Sequence, residues 1–524
     1  MEFVRSAKKR LKVKTFTLNS KKEIISKITR EVLTLFRVEI VGSHGDADYA
    51  QLSVINKRLP VSDTAAAGGS IVRMQTTLML FAGDGSYQSW SRVAQGKADE
   101  LERAAVNRTI KLNLYNIFCQ ELKKPAAPWG ILHGVRPTKI VHRWISYGMD
   151  ETAIIKRLLS DFACSEEKAR VITPMAFRQL PFLKTSAPKT ISIYVGIPFC
   201  LTRCLYCSFP SNILPGEKTL QQFMAALQKD IMAAKAAVAE YGFTVQNIYV
   251  GGGTPTALPD NYFADMLSMV YNSFYGQDVV EFTVEAGRPD SITPAKIAKM
   301  QELGVTRVSV NPQTMQDKTL KVIGRQHTSA DVVNMFKALR KAGIPHINMD
   351  IILGLPGETA LDVDDTMAKV TALQPDDITL HALALKRGSR LRLIMEQRQV
   401  CLPGATETRK MSAIAMSYIK RFGYEPYYLY RQGYMAGDLE NVGCAHKGAE
   451  GMYNIQIMEE HQTIIGVGGA ATTKVVDFRQ NRLKSSFNAK DLVTYLRDVD
   501  SYIEKRRLLL EEAYGKQGES TNVN

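Results

Sequence analysis

The chain has 524 residues, 45% of them hydrophobic and 23% charged, with 36 glycines and 20 prolines. Those proportions exclude a crosslinked miniprotein, a fibrous repeat and a wholly disordered chain, and the length predicts several units with cores of their own. Lys and Arg outnumber Asp and Glu by 67 to 52, a net charge of +15 that favours an acidic partner without naming it. Nucleic acid, an anionic cofactor, a carboxylate-rich metabolite and an acidic electron-transfer protein all satisfy that charge, and so does a merely basic surface.

In chain order, the opening MEFVRSAKKRLKVKTF is positive but has no continuous apolar region after it, and no later run reaches membrane-spanning length. The expectation is a cytoplasmic protein with no membrane span. Residues 1–185 read as an N-terminal α/β accessory domain, with strand-like VKTFTL and MQTTLMLF followed by helical VNRTIKLNLYNIF and ETAIIKRLL. Within it, PWGILHGVRPTKI is rich in turn formers and places Arg136 and Lys139 where they can order an anion, or simply form a solvated loop. PFLKTSAPKT, at 181–190, reads as a linker.

From residue 191 short apolar strands alternate with helical stretches. ISIYV and VQNIYV bracket a helix over about 218–240, and VVEFTVE, TRVSV, INMDIIL and DITL are separated by segments such as ITPAKIAKMQEL and SADVVNMFKALRKAG. That repetition predicts a parallel sheet with helices outside it, a partial or complete β/α barrel over 186–390 whose chemistry gathers beyond the carboxyl ends of the strands. Residues 391–524 read as a C-terminal accessory region of helices and aromatic turns.

Seven cysteines, at 119, 164, 200, 204, 207, 401 and 444, place three within eight positions as CLTRCLYC, directly after the first strand of this series. Clustering of that kind suggests ligands more than disulfides. Cys200, Cys204 and Cys207 on one short loop suit three irons of a four-iron cluster, with the fourth iron left open to an exchangeable ligand. Zinc with a remote fourth ligand and ordinary unliganded cysteines remain open at this point, although no nearby Cys or His after Cys207 completes a familiar zinc spacing. GGGTPT, at 251–256, follows VQNIYV and lacks the GxxxxGK[ST] of a P-loop; it is a close-approach backbone cradle or a structural turn.

CxxxCxxC at the mouth of a β/α barrel resembles the radical S-adenosylmethionine superfamily. The nearest resemblance is to the HemZ-type branch of oxygen-independent coproporphyrinogen oxidase-like proteins, carried also by PWGILHGVRPTK, CSFPSN, GLPGET, YYLYRQGYMAGDLENVGCA and GMYNIQIMEEHQTIIGVGGAATTK. The resemblance implies that Cys200, Cys204 and Cys207 bind a 4Fe-4S cluster. It implies S-adenosylmethionine contacts at Tyr194, Tyr206, Gly252, Gly253, Thr254, Glu285, Gln313, Arg325, Asp350 and, through backbone geometry, Ala384. Taken singly, Glu285, Gln313, Arg325 and Asp350 read equally as caps or satisfied buried polar groups, and Tyr206 as core.

What the resemblance implies for function is oxidative decarboxylation of coproporphyrinogen III propionates to protoporphyrinogen IX, with a tetrapyrrole substrate, a low-potential donor such as flavodoxin or ferredoxin, and no nucleic acid, for which no recognition fold is visible. Where the best-understood oxidases carry a further cysteine two positions after the third, this chain has Phe209, an ending shared with related haem chaperones. Haem binding and transfer to an acceptor protein is therefore one alternative, and radical modification or opening of haem or another tetrapyrrole is the other. Tyr428, Tyr430, Arg431 and Gln432 form a candidate substrate group that reads equally as a packed aromatic turn. His381 and His461 are candidate proton carriers or haem ligands among eight histidines.

Overall fold

The computed structural model describes residues 11–18, 23–41, 47–61, 71–124, 126–132, 134, 136–185, 187–384, 390–396, 401–431, 439–477 and 482–515. The chain divides into two compact units, Met1–Pro174 and Met175–Asn524, with the border inside the helix Glu166–Lys184. That helix takes up the first residues of the stretch read as a linker, and a strand already begins at Thr190.

In the first unit five strands, β1 (Lys12–Leu18), β2 (Glu39–Ile40), β3 (Tyr49–Arg58), β4 (Arg73–Phe81) and β5 (Tyr87–Gln95), form one sheet in the order β2-β1-β3-β4-β5. β4 alternates strictly, so Met74, Thr76, Leu78 and Leu80 face the core while the residues between them face outward. Ile110 and Leu114 of the helix Glu102–Asn116 join that core. This unit holds 28 of the basic and 17 of the acidic residues, hence +11 of the +15 net charge. Most of the charge excess thus belongs to the first unit.

The second unit is built on an eleven-stranded sheet. Its first strands are β6 (Thr190–Ile197), β9 (Thr244–Gly252), β10 (Glu281–Glu285), β11 (Arg307–Gln313), β12 (His346–Leu353) and β13 (Asp377–Ala382), while β7 (Phe199–Cys200) and β8 (Asn212–Ile213) form a separate two-stranded clip. The C-terminal region adds β14 (Glu425–Tyr430), β15 (Asn441–Ala445), β16 (Thr463–Gly468), β17 (Thr472–Asp477) and β18 (Arg482–Phe487). The order is β14-β15-β13-β12-β11-β10-β9-β6-β16-β17-β18. Seven strands, from β16 through β6 to β13, are mutually parallel, and antiparallel strands continue the sheet at both ends. β14 and β18 are sheet edges, so the expected barrel is a partial one. Gly468 fits beside β6 because a Cβ there would lie 2.3 Å from the Gly196 carbonyl oxygen, and its φ of +89° suits glycine.

Alternation within these strands positions the site. Apolar residues such as Val308, Val310, Ile347, Met349 and Ile378 are buried, and the positions between them are polar. At the amino ends of the strands these polar residues form a buried network: Arg307 meets Asp377 at 2.6 Å and Glu281 at 3.4 Å, and Asn348 donates to Asp377 at 3.0 Å. Two, four or six residues further along the same strands come Asp350, Glu285, His381 and Gln313, which line a cavity at the carboxyl ends. Among the described residues no helix is long and apolar enough to cross a membrane.

Candidate active site

The cysteine loop is held from three sides. β7 pairs with β8 through Phe199–Asn212 and Cys200–Ile213, the Leu205 amide donates to the Ile323 carbonyl at 3.0 Å, and the Leu391 amide donates to the Leu205 carbonyl at 2.9 Å. The Cys207 amide closes the loop on the Cys204 carbonyl. All three cysteines line one cavity of about 380 Å³, within the range of small-molecule and cofactor sites.

The glycine cradle lies against the same loop. Gly253 and Thr254 donate to the carbonyls of Ile197 and Phe199 at 2.9 and 2.7 Å, and a Cβ on Gly253 would lie 2.5 Å from the Phe199 oxygen. Only glycine permits that approach. Thr254 Oγ1 sits 3.6 Å from Cys200 Sγ, so the cradle and the first cysteine form one wall.

Beside the cradle stand polar side chains from the strand ends. Tyr249 donates its hydroxyl to Glu285 Oε1 at 2.5 Å, and the Gly252 amide donates to Glu285 Oε2 at 3.3 Å. Burial, reinforced by the nearby Asp350 carboxylate, pushes the Glu285 carboxyl up to about 7 against these two donors. The Tyr249 ring stacks on Tyr453 with centroids 4.4 Å apart, and Tyr194 stacks on both rings. Arg325, buried, donates to the Asn311 carbonyl at 2.5 Å and to the Tyr206 hydroxyl at 3.1 Å, fixing the aromatic ring that precedes Cys207. Gln313 adopts φ +69°, a strained conformation for a residue with a side chain.

Every residue expected to contact the cluster or S-adenosylmethionine lines this cavity: Tyr194, Cys200, Cys204, Tyr206, Cys207, Gly252, Gly253, Thr254, Glu285, Gln313, Arg325, Asp350 and Ala384. So do His381, whose Nε2 lies 3.6 Å from Asp350 Oδ2, and Tyr428 and Tyr430, whose rings are parallel with centroids 6.5 Å apart. Arg431 and His461 are outside its lining, Arg136 and Lys139 belong to the first unit, and Gln432 lies outside the described residues. Sequence reasoning missed Arg288, 3% exposed, which donates to the Thr202 carbonyl at 2.9 Å, lies 4.0 Å from Cys204 Sγ and pairs with Asp290 at 2.6 Å. Its signal was available: GRPDS follows the carboxyl end of β10, where this fold collects its chemistry. Asn311 and Tyr249 were equally legible as polar residues at alternate positions of apolar strands.

The donor set fits an iron-sulfur cluster and its organic cofactor. Among the described residues no three His, Cys, Asp or Glu side chains surround a single ion, whereas a cluster takes its cysteines on different irons. Burial pushes the Cys200 and Cys207 thiols up, so ligation itself must supply the charge that makes them thiolates. Buried polar atoms without partners, Gln313 Oε1, Arg325 Nε, Asn311 Oδ1 and Ser309 Oγ, belong to residues lining the cavity and leave hydrogen-bonding capacity for a polar ligand.

Fold and site together define a radical S-adenosylmethionine protein, and the model of the Radical SAM superfamily matches residues 194–370. A relative from Bacillus subtilis strain 168, the oxygen-independent coproporphyrinogen-III oxidase-like protein HemZ, is 36% identical over 392 residues, covering 74% of this chain and 78% of that one. The heme chaperone HemW of the same organism is 28% identical over 281 residues, covering 53% and 70%. Coproporphyrinogen III oxidase HemN from Escherichia coli, a solved structure, shares the fold at a TM-score of 0.50 and 22% identity, covering 62% of this chain and 72% of that one. The chain belongs to the radical SAM superfamily and, within it, to the HemZ-type branch of oxygen-independent coproporphyrinogen oxidase-like proteins. Its cofactors are those of the superfamily, a 4Fe-4S cluster and S-adenosylmethionine.

Proposed function

We propose that this cavity carries out radical decarboxylation of tetrapyrrole propionates, with coproporphyrinogen III as substrate. The observation that carries the reading is that one cavity is lined both by the cofactor set, namely the cluster loop, the glycine cradle, Glu285 and Asp350, and by His381, Tyr428, Tyr430, Asn441, Asn454 and Met458, to which the cofactor reading gives no role.

When bound, a reduced cluster and S-adenosylmethionine supply one-electron cleavage of the cofactor, giving methionine and a 5′-deoxyadenosyl radical. Cys200, Cys204 and Cys207 would hold the cluster, and the amides and carbonyls of Gly252 to Thr254 would cradle the methionyl end. Glu285 and Asp350 would accept hydrogen bonds from ammonium and ribose hydroxyls, and Arg325 would fix Tyr206 beside the adenine. The net change at each propionate would be loss of one hydrogen atom, carbon dioxide and one electron, the last to a one-electron acceptor, leaving a vinyl group, and His381, Tyr428 and Tyr430 would hold the side chain for it. The aromatic wall would keep water from the carbon radical and seat the macrocycle.

Haem transfer is the second reading, favoured by Phe209, which lines the cavity while 64% exposed, and by the resemblance to heme chaperones. An anaerobic assay of the cluster-loaded protein with reductant, S-adenosylmethionine and coproporphyrinogen III, followed by mass spectrometry, tests between them. Tri- and dicarboxylate porphyrinogens formed together with 5′-deoxyadenosine support decarboxylation. Cofactor cleavage without decarboxylation moves the search to haem or another tetrapyrrole, and stable haem binding without cleavage replaces the enzyme reading with transfer.

A further inference from the structure

A second cavity, of about 420 Å³, has its walls on two helices, Pro294–Glu302 and Ser329–Lys341. Ile297 lines it from the first helix and Met335 from the second, with Ile292 from the turn before the first. Among the described residues its lining shares no member with that of the cofactor cavity. His327, just ahead of the second helix, also lines it and is only 5% exposed. Neither ring nitrogen of His327 has a hydrogen-bond partner among the described residues. A buried donor and acceptor left unpaired cost the free protein the desolvation of both and return nothing, so the imidazole is explained as one half of an interaction that a ligand completes.

The remaining polar groups limit what that ligand can be. Arg288 Nε and Nη2 donate to the two carboxylate oxygens of Asp290 at 3.0 and 2.6 Å, and Asp331 closes the capping box of the second helix with Thr328. The lining contains both carboxylates and no Lys or Arg, so it repels an anion. Burial, then the nearby Arg325, push the His327 imidazole down to about 4, and a cation placed against it would be opposed in the same way. A neutral imidazole has one donor and one acceptor, and the amides of Gln326 and Asn334, exposed in the lining, add both kinds.

We propose that this cavity is a second ligand site, which takes a flat, uncharged nitrogen heterocycle paired along its edge with His327 and Asn334 and packed on its faces by Ile292, Ile297 and Met335. An apolar cleft with a few convergent polar groups is the usual form of a small-molecule site. The proposal goes beyond the decarboxylation reading and does not depend on it. Asp290 stands in the wall, and the Arg288 side chain that it holds lies 4.0 Å from Cys204 Sγ, so an occupant sits two side chains from the cluster loop.

Benzimidazole and nicotinamide are the probes, with benzoate and benzylamine as charged counterparts of similar size, each added to the full-length, cluster-loaded protein whose cofactor cavity is saturated with S-adenosylmethionine. Saturation-transfer NMR gives the affinities, and thermal unfolding without probe reads what the imidazole costs. The expected result is millimolar or tighter binding of at least one uncharged probe, weaker by about tenfold or more for both charged ones, and lost in His327→Leu. That variant should keep the cluster spectrum and melt at the wild-type temperature or above it, because it removes unpaired buried polar atoms. Asn334→Ala, at an exposed position, should weaken the same probe and leave the melting temperature unchanged. Failure of both uncharged probes to bind, equal binding of a charged one, or affinities unchanged in both variants overturns the proposal. If His327→Leu melts below wild type, Asn334→Ala decides: weaker binding sustains the site, and unchanged binding overturns it.

Discussion

Tyr249 and Glu285 share a 2.5 Å hydrogen bond at the carboxyl ends of neighbouring strands, with the hydroxyl donating to the carboxylate. Burial pushes the Glu285 carboxyl up to about 7, and the Tyr249 hydroxyl opposes that rise. An acid whose folded pKa is raised is protonated in the native state at pH values where the unfolded chain has already ionised it. Folding stability from this group is therefore greatest at low pH, falls as pH rises from about 4.5 to about 7, and is level above. Cofactor binding takes the opposite course if ionised Glu285 is the acceptor. Affinity for S-adenosylmethionine should rise through about pH 7, by up to about tenfold per unit below it, and the rise should vanish in Glu285→Gln. Tyr249→Phe should move the midpoint upward. Equilibrium dialysis across pH 5.5–8.5 gives the curves, and identical profiles in wild type and Glu285→Gln would remove the assigned role.

Gly253→Ala would place a methyl group 2.5 Å from the Phe199 carbonyl oxygen, a backbone atom that cannot rotate away. The cradle should shift and bind S-adenosylmethionine at least tenfold more weakly, with a loss of about 1–3 kcal/mol of stability from overpacking. Gly276→Ala, where nothing lies within 4 Å of the added carbon, is the control and should change neither. Urea unfolding with cofactor titration compares the two.

Arg325→Met should leave the Tyr206 hydroxyl and the Asn311 carbonyl without their donor in a buried site, costing about 1–3 kcal/mol. Arg325→Lys cannot span both partners with a single ammonium and should recover only part of that loss. Chemical denaturation gives the energies. Altered fluorescence of 2-aminopurine-substituted S-adenosylmethionine would report whether Tyr206 has left the adenine.

Arg288→Met should remove a buried positive charge 4.0 Å from the Cys204 sulfur. The reduced cluster, which carries the extra negative charge, loses more from this than the oxidised one, so the midpoint potential should fall. Asp290 already cancels part of the charge, which limits the fall to the order of tens of millivolts. Redox titration followed by electron paramagnetic resonance measures it, and an unchanged potential in a fully loaded variant would show that Arg288 only anchors the Thr202 carbonyl.

Much of this site was legible because its residues repeat a simple pattern. Strands such as EFTVE, RVSVNPQ and DITLH put polar groups at every second position of apolar runs, and those groups face one interior. The cysteine spacing and the glycines after VQNIYV marked the loops that cover it. Less visible was that β14 to β18 extend the same sheet, since antiparallel pairing between Asp377 and Ala445 leaves no local spacing to read. GRPDS marked Arg288 as a polar residue past a strand end, but its approach to Cys204 joins segments distant in sequence, and no spacing signals the left-handed conformation of Gln313. Charge was the weakest guide. An excess of basic residues read over the whole chain fits a propionate-binding site, but +11 of it lies in residues 1–174.

The central claim is that the cavity removes hydrogen from a tetrapyrrole propionate. Coproporphyrinogen III deuterated on the propionate carbons next to the ring tests it most directly, incubated anaerobically with the cluster-loaded protein, reductant and S-adenosylmethionine. The account predicts 5′-deoxyadenosine one mass unit heavier, formed together with vinyl product and absent in the Cys200→Ala, Cys204→Ala and Cys207→Ala variants. Unlabelled 5′-deoxyadenosine alongside intact coproporphyrinogen would contradict it.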